Sequence, residues 1–310
     1  MAGCTRAPCN PIRWYNIPAA VLLTVVHSQS SGCPLYQDLY IRIDGFNTRY
    51  WKAGEEGTPL VLVHGLAVSA DIWKNNIPGL SREHRVYVPD LIGFGRSDRP
   101  GASFSPFEYG RFLDGFLSSL NLGRVSLVGQ SLGGAIAIHY AQQFPQKIDK
   151  LVLVGSAGLG REVIWTLRAM SIPLVAELLY RPSRKAVDFL FKLSVRNPTL
   201  ITPEFVETYY QIYIQPEFRR FFLRFLRRIL TIRGPREEFF APLMKNLSRI
   251  TQPVLIVWGQ EDRVLPVKHA YFGMEKIPNA RLEIFPACGH IPFFERPEEF
   301  NRLVLEFLSE

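Results

Sequence analysis

Gly129-Gln130-Ser131-Leu132-Gly133 has the spacing of a nucleophile turn: the apolar run Val125–Val128 precedes it and the helical run Gly134–Tyr140 follows. A serine between a strand and a helix sits on a sharp, strained turn, so its neighbours two positions away must be small, as Gly129 and Gly133 are. The start of the helix adds backbone N–H groups and a positive dipole end for a developing anion. A serine hydroxyl is a poor nucleophile at neutral pH and needs a base. His290 is the candidate, because it follows Ser131 in the chain and stands in Ala287-Cys288-Gly289-His290, just after the apolar run Leu282–Phe285. His27, His84, His139 and His269 have no comparable strand-end position, and His64 belongs to a different motif. A base of this kind needs an acid to fix its tautomer. Trp258-Gly259-Gln260-Glu261-Asp262 offers two neighbouring carboxylates, whereas Gly155-Ser156-Ala157, the other strand end in question, offers none.

Attack on a carbonyl also requires donors for the oxyanion. The Leu132 N–H, directly after the serine, is one. The Leu66 N–H in His64-Gly65-Leu66 is the second, with Gly65 letting the backbone turn close to a substrate.

These groups need a scaffold that brings strand ends together. Leu39–Ile43 and Thr48–Trp51 read as a hairpin around Asp44-Gly45. Leu60–Val63, Val86–Val88, Val125–Val128, Leu151–Val154, Val254–Val257 and Leu282–Phe285 read as buried strands. Helical stretches alternate with them, which predicts an α/β fold with a mostly parallel sheet and helices on both faces. From about Leu159 to Leu247 the periodicity is helical, with no convincing strand, so a helical cap inserted into the α/β body is expected.

The formal net charge is +8, and residues 161–249 hold 16 Lys and Arg against 8 Asp and Glu, so the whole excess falls in that segment. A basic face can attract anions, but the segment matches no nucleic-acid-binding motif, and no nucleic-acid partner is expected. The four cysteines include no CxxC pair, so neither a zinc site nor a thioredoxin-like motif is suggested. No apolar run reaches the ~18–20 residues of a membrane span. Ala19–Val26 loosely resembles the core of a signal peptide. Its distance from Met1, with Pro11 and Pro18 on the way, favours an N-terminal extension of a cytoplasmic protein over export.

Taken together, the motifs resemble the α/β-hydrolase fold superfamily, in particular its serine esterases and lipases with a helical cap. The resemblance covers residues 36–310 and rests on His64-Gly65, Asp90-Leu91-Ile92-Gly93-Phe94-Gly95-Arg96-Ser97, Gly129-Gln130-Ser131-Leu132-Gly133-Gly134, Gly259-Gln260-Glu261-Asp262 and Gly289-His290. It implies an eight-stranded sheet, a cap over the active site, and Asp262 rather than Glu261 as the acid. The domains expected are an extension at 1–34, a core at 35–157 and 248–310, and a cap at 158–247. Aspartate-nucleophile relatives of the fold are excluded by Ser131. Carbon–carbon bond hydrolases of aromatic degradation share the triad, but usually carry a glycine- and proline-rich loop after His-Gly and a Trp after the catalytic His. Here Leu66-Ala67-Val68-Ser69 and Ile291 stand in those places. Asp90 reads as structural, and Cys288 as a packed side chain.

Within the cap, Glu217–Leu230 is an amphipathic helix whose Phe218, Phe221, Phe222, Phe225, Leu226 and Ile229 form one face, opposite four arginines. The face is expected to turn toward the acyl pocket or the cap core. Phe222, Phe225 and Trp165 are the expected substrate contacts, and docking of the helix on an anionic membrane surface is the alternative. The expected activity is hydrolysis of a small hydrophobic carboxylic ester through an acyl-enzyme, without cofactor. The rivals are lactone, thioester or carbon–carbon bond hydrolysis on the same triad, and a ligand receptor that kept the fold.

Overall fold

The computed structural model describes residues 35–101 and 104–310. The reading of residues 1–34 as an extension lies outside the described residues.

The chain begins with a hairpin of β1 (Gln37–Ile43) and β2 (Phe46–Ala53). Asp44 and Gly45 both adopt positive φ at its tip, the geometry a tight two-residue turn demands. There follow β3 (Pro59–Val63), α1 (Ile77–Leu80), β4 (Arg85–Pro89), α2 (Glu108–Ser119), β5 (Val125–Gln130), α3 (Leu132–Gln143) and β6 (Ile148–Val154). The next stretch is largely helical: α4 (Trp165–Ala169), α5 (Pro173–Leu179), α6 (Arg184–Ser194), α7 (Pro203–Tyr213), α8 (Pro216–Ile229), the two-residue strands β7 (Leu230–Thr231) and β8 (Gly234–Pro235), and α9 (Glu237–Lys245). The chain then returns through β9 (Val254–Gly259), α10 (Lys268–Lys276), β10 (Ala280–Phe285), α11 (Pro292–Glu295) and α12 (Pro297–Ser309).

Eight strands form one sheet in the order β1-β2-β4-β3-β5-β6-β9-β10. β2 is antiparallel to both β1 and β4, and the remaining pairs are parallel. This is an α/β-hydrolase fold with a mostly parallel eight-stranded sheet. Every residue of β3, β5 and β9 is buried, as strands covered by helices on both faces must be. β10, at the edge, instead exposes Arg281 and Glu283 between buried or half-buried apolar positions. The parallel register pairs Val63 with Gly129, Gln130 with Val154, and Phe285 with Gly259. The carboxyl ends of β3, β5, β9 and β10 therefore align along one rim. That rim is where open α/β sheets carry their sites.

The segment between β6 and β9 is helical as the periodicity predicts, with one departure. The β7–β8 hairpin was not expected; it turns through Ile232 and Arg233, pairs only two residues a side, and its second strand opens at Gly234, whose φ of 120° other residues rarely adopt. Helix α8 buries all four of its phenylalanines. Phe94, in the loop after β4, receives Phe221 edge-on at 5.4 Å and Phe225 at 5.6 Å, and Phe225 also meets Tyr109 at 5.7 Å. Gly93 permits this approach, because a Cβ there would strike the Phe221 ring. Each buried Phe contributes about 1.5–3 kcal/mol. This face is thus turned inward, against the body of the protein. Among the described residues no helix is long and apolar enough to cross a membrane.

Candidate active site

Ser131 has φ 52° and ψ −115°, a strained conformation for a residue with a side chain. The turn is held from both sides. The Ser131 N–H donates to the Val154 carbonyl at 3.0 Å, and its carbonyl accepts from Gly134 at 3.0 Å and Ala157 at 2.9 Å. A Cβ at Gly129 would come within 2.7 Å of the Gly133 carbonyl carbon, so the approach of strand to helix requires glycine there. Leu132 is the first residue of α3, where a helix has no acceptor of its own for the N–H.

His290 donates from Nδ1 to Asp262 Oδ2 at 2.7 Å, with both side chains almost fully buried. The other oxygen of Asp262 accepts the backbone N–H groups of Val264 at 2.8 Å and Leu265 at 2.9 Å. The carboxylate is therefore fixed in place, and it holds the imidazole proton on Nδ1, leaving Nε2 as the acceptor. The neighbouring Glu261 turns outward and pairs with Arg196 at 2.6 Å. The choice between the two carboxylates is thus made by geometry. Gly155, at the end of β6, lies under the imidazole: a Cβ there would come 3.1 Å from Nδ1. The ring leaves no room for a side chain at Gly155 itself.

Gly65 touches the nucleophile turn, since a Cβ on it would meet Ser131 Cβ at 3.0 Å. The loop that carries Leu66 is therefore beside Ser131. His64 shapes it: Nδ1 donates to the Gly65 carbonyl at 2.8 Å, and Nε2 accepts the Leu91 N–H at 2.9 Å. Burial lowers the pKa of His64, and the Leu91 bond requires its neutral form. Ala67 follows with φ 61°, and its carbonyl accepts from the Tyr213 hydroxyl of α7 at 2.9 Å. Asp90 is fully buried and structural in its contacts, accepting Ala70 N–H at 2.6 Å and Arg96 N–H at 2.7 Å. Arg49 bridges it to Asp38 and Asp71, and the neighbouring guanidinium groups of Arg49 and Arg96 hold the Asp71 carboxyl down at about 2.

Two residues escaped the sequence reading. The Gln130 side-chain nitrogen stands 3.2 Å from His290 Nε2, the atom that must take the serine proton. Its only signal was its place next to Ser131, and that does not reveal where an amide points. Glu295, in α11, accepts the Gly289 N–H with one oxygen and the Arg196 and Asn197 N–H groups with the other. Burial and this carboxylate also push the Cys288 thiol well above its usual range, so it is a packed side chain rather than a thiolate.

The three expected substrate contacts are placed differently from one another. Phe225 is buried against Phe94 and Tyr109, and Phe222 is buried against Phe218 and Tyr180. Trp165 is 68% exposed at the start of α4, and its neighbour Ile164 donates its N–H to Val264 of the Asp262 loop at 3.0 Å.

Comparison with known proteins agrees with this architecture. The model of the alpha/beta hydrolase fold family matches residues 58–297. The 2-hydroxy-6-oxo-6-(2'-aminophenyl)hexa-2,4-dienoic acid hydrolase of Metapseudomonas resinovorans is 31% identical over 281 residues, covering 88% of this chain and 91% of that protein. The 2-hydroxy-6-oxo-2,4-heptadienoate hydrolase of Pseudomonas putida is 32% identical over 276 residues, covering 86% and 94%. A structure of the meta-cleavage product hydrolase from Pseudomonas fluorescens superposes with a TM-score of 0.75 at 31% identity, covering 87% of this chain and 97% of that one. Sheet order, strand-end loops and sequence likeness lead to one assignment: the chain belongs to the alpha/beta hydrolase fold family.

Proposed function

We propose that the chain is a serine hydrolase that cleaves the bond beside a carbonyl in a largely apolar substrate, and that its reaction is carbon–carbon cleavage of a conjugated oxo-dienoate. The observation that carries the substrate class is the likeness, above 30% identity over most of the chain, to hydrolases of that kind. Ser131 Oγ attacks the carbonyl carbon while His290 Nε2 takes its proton, and Asp262 keeps Nδ1 protonated and stabilises the imidazolium. The N–H groups of Leu132 and Leu66 hold the oxyanion. Collapse breaks the adjacent bond and leaves an acyl group on Ser131. In a 2-hydroxy-6-oxo-dienoate the 2-hydroxyl first gives up its proton and C5 gains one. C5 then departs as a carbanion delocalised through the C3–C4 double bond onto the 2-oxo group, and the proton taken up by His290 passes to that leaving dienolate. A water activated by His290 then frees the acid. Residues 158–247 form the cap over this site.

A second reading, hydrolysis of an apolar carboxylic ester, is favoured by the departures from the carbon–carbon hydrolases. Leu66-Ala67-Val68-Ser69 replaces the glycine- and proline-rich loop, and Ile291 replaces the Trp after His290. The chemistry up to the acyl-enzyme is the same, with an alcohol leaving.

Purified protein should be given a yellow 2-hydroxy-6-oxo-dienoate and, separately, p-nitrophenyl esters of graded chain length. A higher kcat/KM on the dienoate supports the first reading. Turnover of esters alone supports the second. Turnover of neither, or turnover surviving in Ser131→Ala, rejects the serine mechanism.

A further inference from the structure

The arginine-rich face of α8, opposite its buried phenylalanines, is not simply a solvated surface. It lines a groove of about 490 Å³ together with α5 and the start of the α7–α8 connection. Arg219, Arg220, Arg224 and Arg227 line it together with one acid, Glu177, while a second, Glu217, pairs with Arg220 at 2.8 Å, and Ile214 and Leu223 give it an apolar wall. Glu177 pairs with Arg219 and lies 3.9 Å from Arg227, so its one charge is shared between two cations.

The surroundings of the groove are apolar. Leu174 and Leu178 stand one turn apart on α5, 83% and 68% exposed, and Ile214 at the groove is also exposed. Of the eleven large apolar residues exposed among the described residues, eight lie between Trp165 and Ile232. That span also falls within the segment that holds the whole net charge of +8. Scattered exposed apolar residues need no explanation, but their concentration on the one basic segment does.

We infer that this face docks on a bilayer containing anionic lipid, with Leu174 and Leu178 entering the headgroup boundary and the groove arginines meeting lipid phosphates. Charge complementarity selects this occupant. A second copy of the chain in a two-fold contact would set the same arginines against each other. A nucleic acid would meet the arginines but leave the leucines without an apolar partner. A small soluble anion would fill the groove and leave the leucines of α5 in water. Interfacial helices of surface-bound proteins combine the same two features, cations for the headgroups and large apolar side chains for the acyl boundary. The inference is independent of which carbonyl substrate the enzyme cleaves.

The test is sedimentation of the full-length protein with vesicles of phosphatidylcholine, alone or doped with phosphatidylglycerol. Binding should require the anionic lipid and weaken as salt is raised. Replacing Arg219 and Arg220 by Gln should weaken it about twenty-five-fold, at about fivefold per charge. Leu174→Asp combined with Leu178→Asp should abolish binding, while hydrolysis of a small soluble substrate and the melting temperature stay unchanged. The inference is overturned if the wild type fails to bind anionic vesicles, or if both variants bind as the wild type does, which would place the contact elsewhere in the chain. It is also overturned if gel filtration shows a dimer that the leucine changes dissolve.

Discussion

Glu295 accepts the backbone N–H of Arg196 at 2.7 Å, and this joins the loop that carries His290 to the end of helix α6. The same carboxylate accepts the Gly289 N–H at 2.7 Å, and the His290 N–H itself donates to the Ser194 carbonyl at 2.7 Å. A Cβ on Gly289 would come 2.6 Å from that carbonyl, so the two strands of chain are in close contact. On the other side, Arg196 pairs with Glu261 beside Asp262. Residues 194–197 therefore touch both loops that hold the His290–Asp262 pair. Any movement of this part of the helical segment is transmitted to the base.

Glu295→Gln tests that coupling. An amide has one acceptor oxygen where the carboxylate had two, so either Gly289 or the Arg196–Asn197 pair loses its partner. Losing such a charge-assisted bond costs about 1.5–3 kcal/mol. A base misplaced by a fraction of an ångström lowers kcat by about ten- to a hundredfold. We expect kcat to fall with KM little changed, and labelling of Ser131 by a fluorophosphonate probe to slow in proportion. Lower stability with unaltered kcat would reduce Glu295 to a structural role.

Asp262→Asn should lower kcat by up to about 10⁴-fold. Its Oδ1 is committed to two backbone donors, Val264 and Leu265, so the substituted amide must keep its oxygen there. The NH₂ group then faces His290 Nδ1 and donates to it, which forces the proton onto Nε2 and removes the base. Glu261→Gln should be mild, because its partner is an arginine more than half exposed, and such pairs contribute at most about 1 kcal/mol. A larger effect at Glu261 than at Asp262 would reverse the assignment.

Much of this site was legible from the residues. The strand–serine–helix turn and the Gly65 loop are local signals, because short-range backbone constraints dictate glycines and strand ends, whereas Asp262 rather than Glu261 was legible only through the family resemblance. The burial of the α8 phenylalanines was half legible: the stripe was plain, but periodicity cannot say whether a stripe meets a pocket or a core. Gln130 and Glu295 were not legible. Each acts across a contact made only when distant segments meet, Glu295 across 99 residues to Arg196. The β7–β8 hairpin was missed because two-residue strands leave no alternation to read.

The stability of the protein should fall on mild acidification. His64 is buried, and its folded pKa lies below the usual 6.5, with burial as the largest cause. The unfolded chain therefore binds the proton more readily than the folded one. Stability is complete above about pH 6.5 and is lost as the pH falls below that value toward the folded pKa. His269, His84 and His139 are shifted in the same direction by burial and add to the effect. Melting temperature should drop between pH 7.5 and about 5. His64→Gln should flatten part of that dependence while lowering stability at neutral pH. An unchanged slope in the variant would show that His64 does not titrate in this window.

Phe225 and Trp165 separate packing from substrate contact. Phe225 is buried against Phe94, Tyr109 and Phe221, so Phe225→Ala should cost about 3–5 kcal/mol of stability whatever the substrate. Trp165 is largely exposed, so Trp165→Ala should change stability by no more than about 0.5 kcal/mol. Its segment hangs on the Asp262 loop through the Ile164 N–H and the Val264 carbonyl. We expect Trp165→Ala to raise KM for a large aromatic substrate and leave KM for a short one unchanged, at constant melting temperature. For Phe225→Ala, KM should change only in step with the loss of folded protein. If Trp165→Ala left both KM values untouched, the entrance would lie away from α4; if the stabilised fraction of Phe225→Ala showed a new chain-length preference, the α8 aromatics would line the pocket as well as the core.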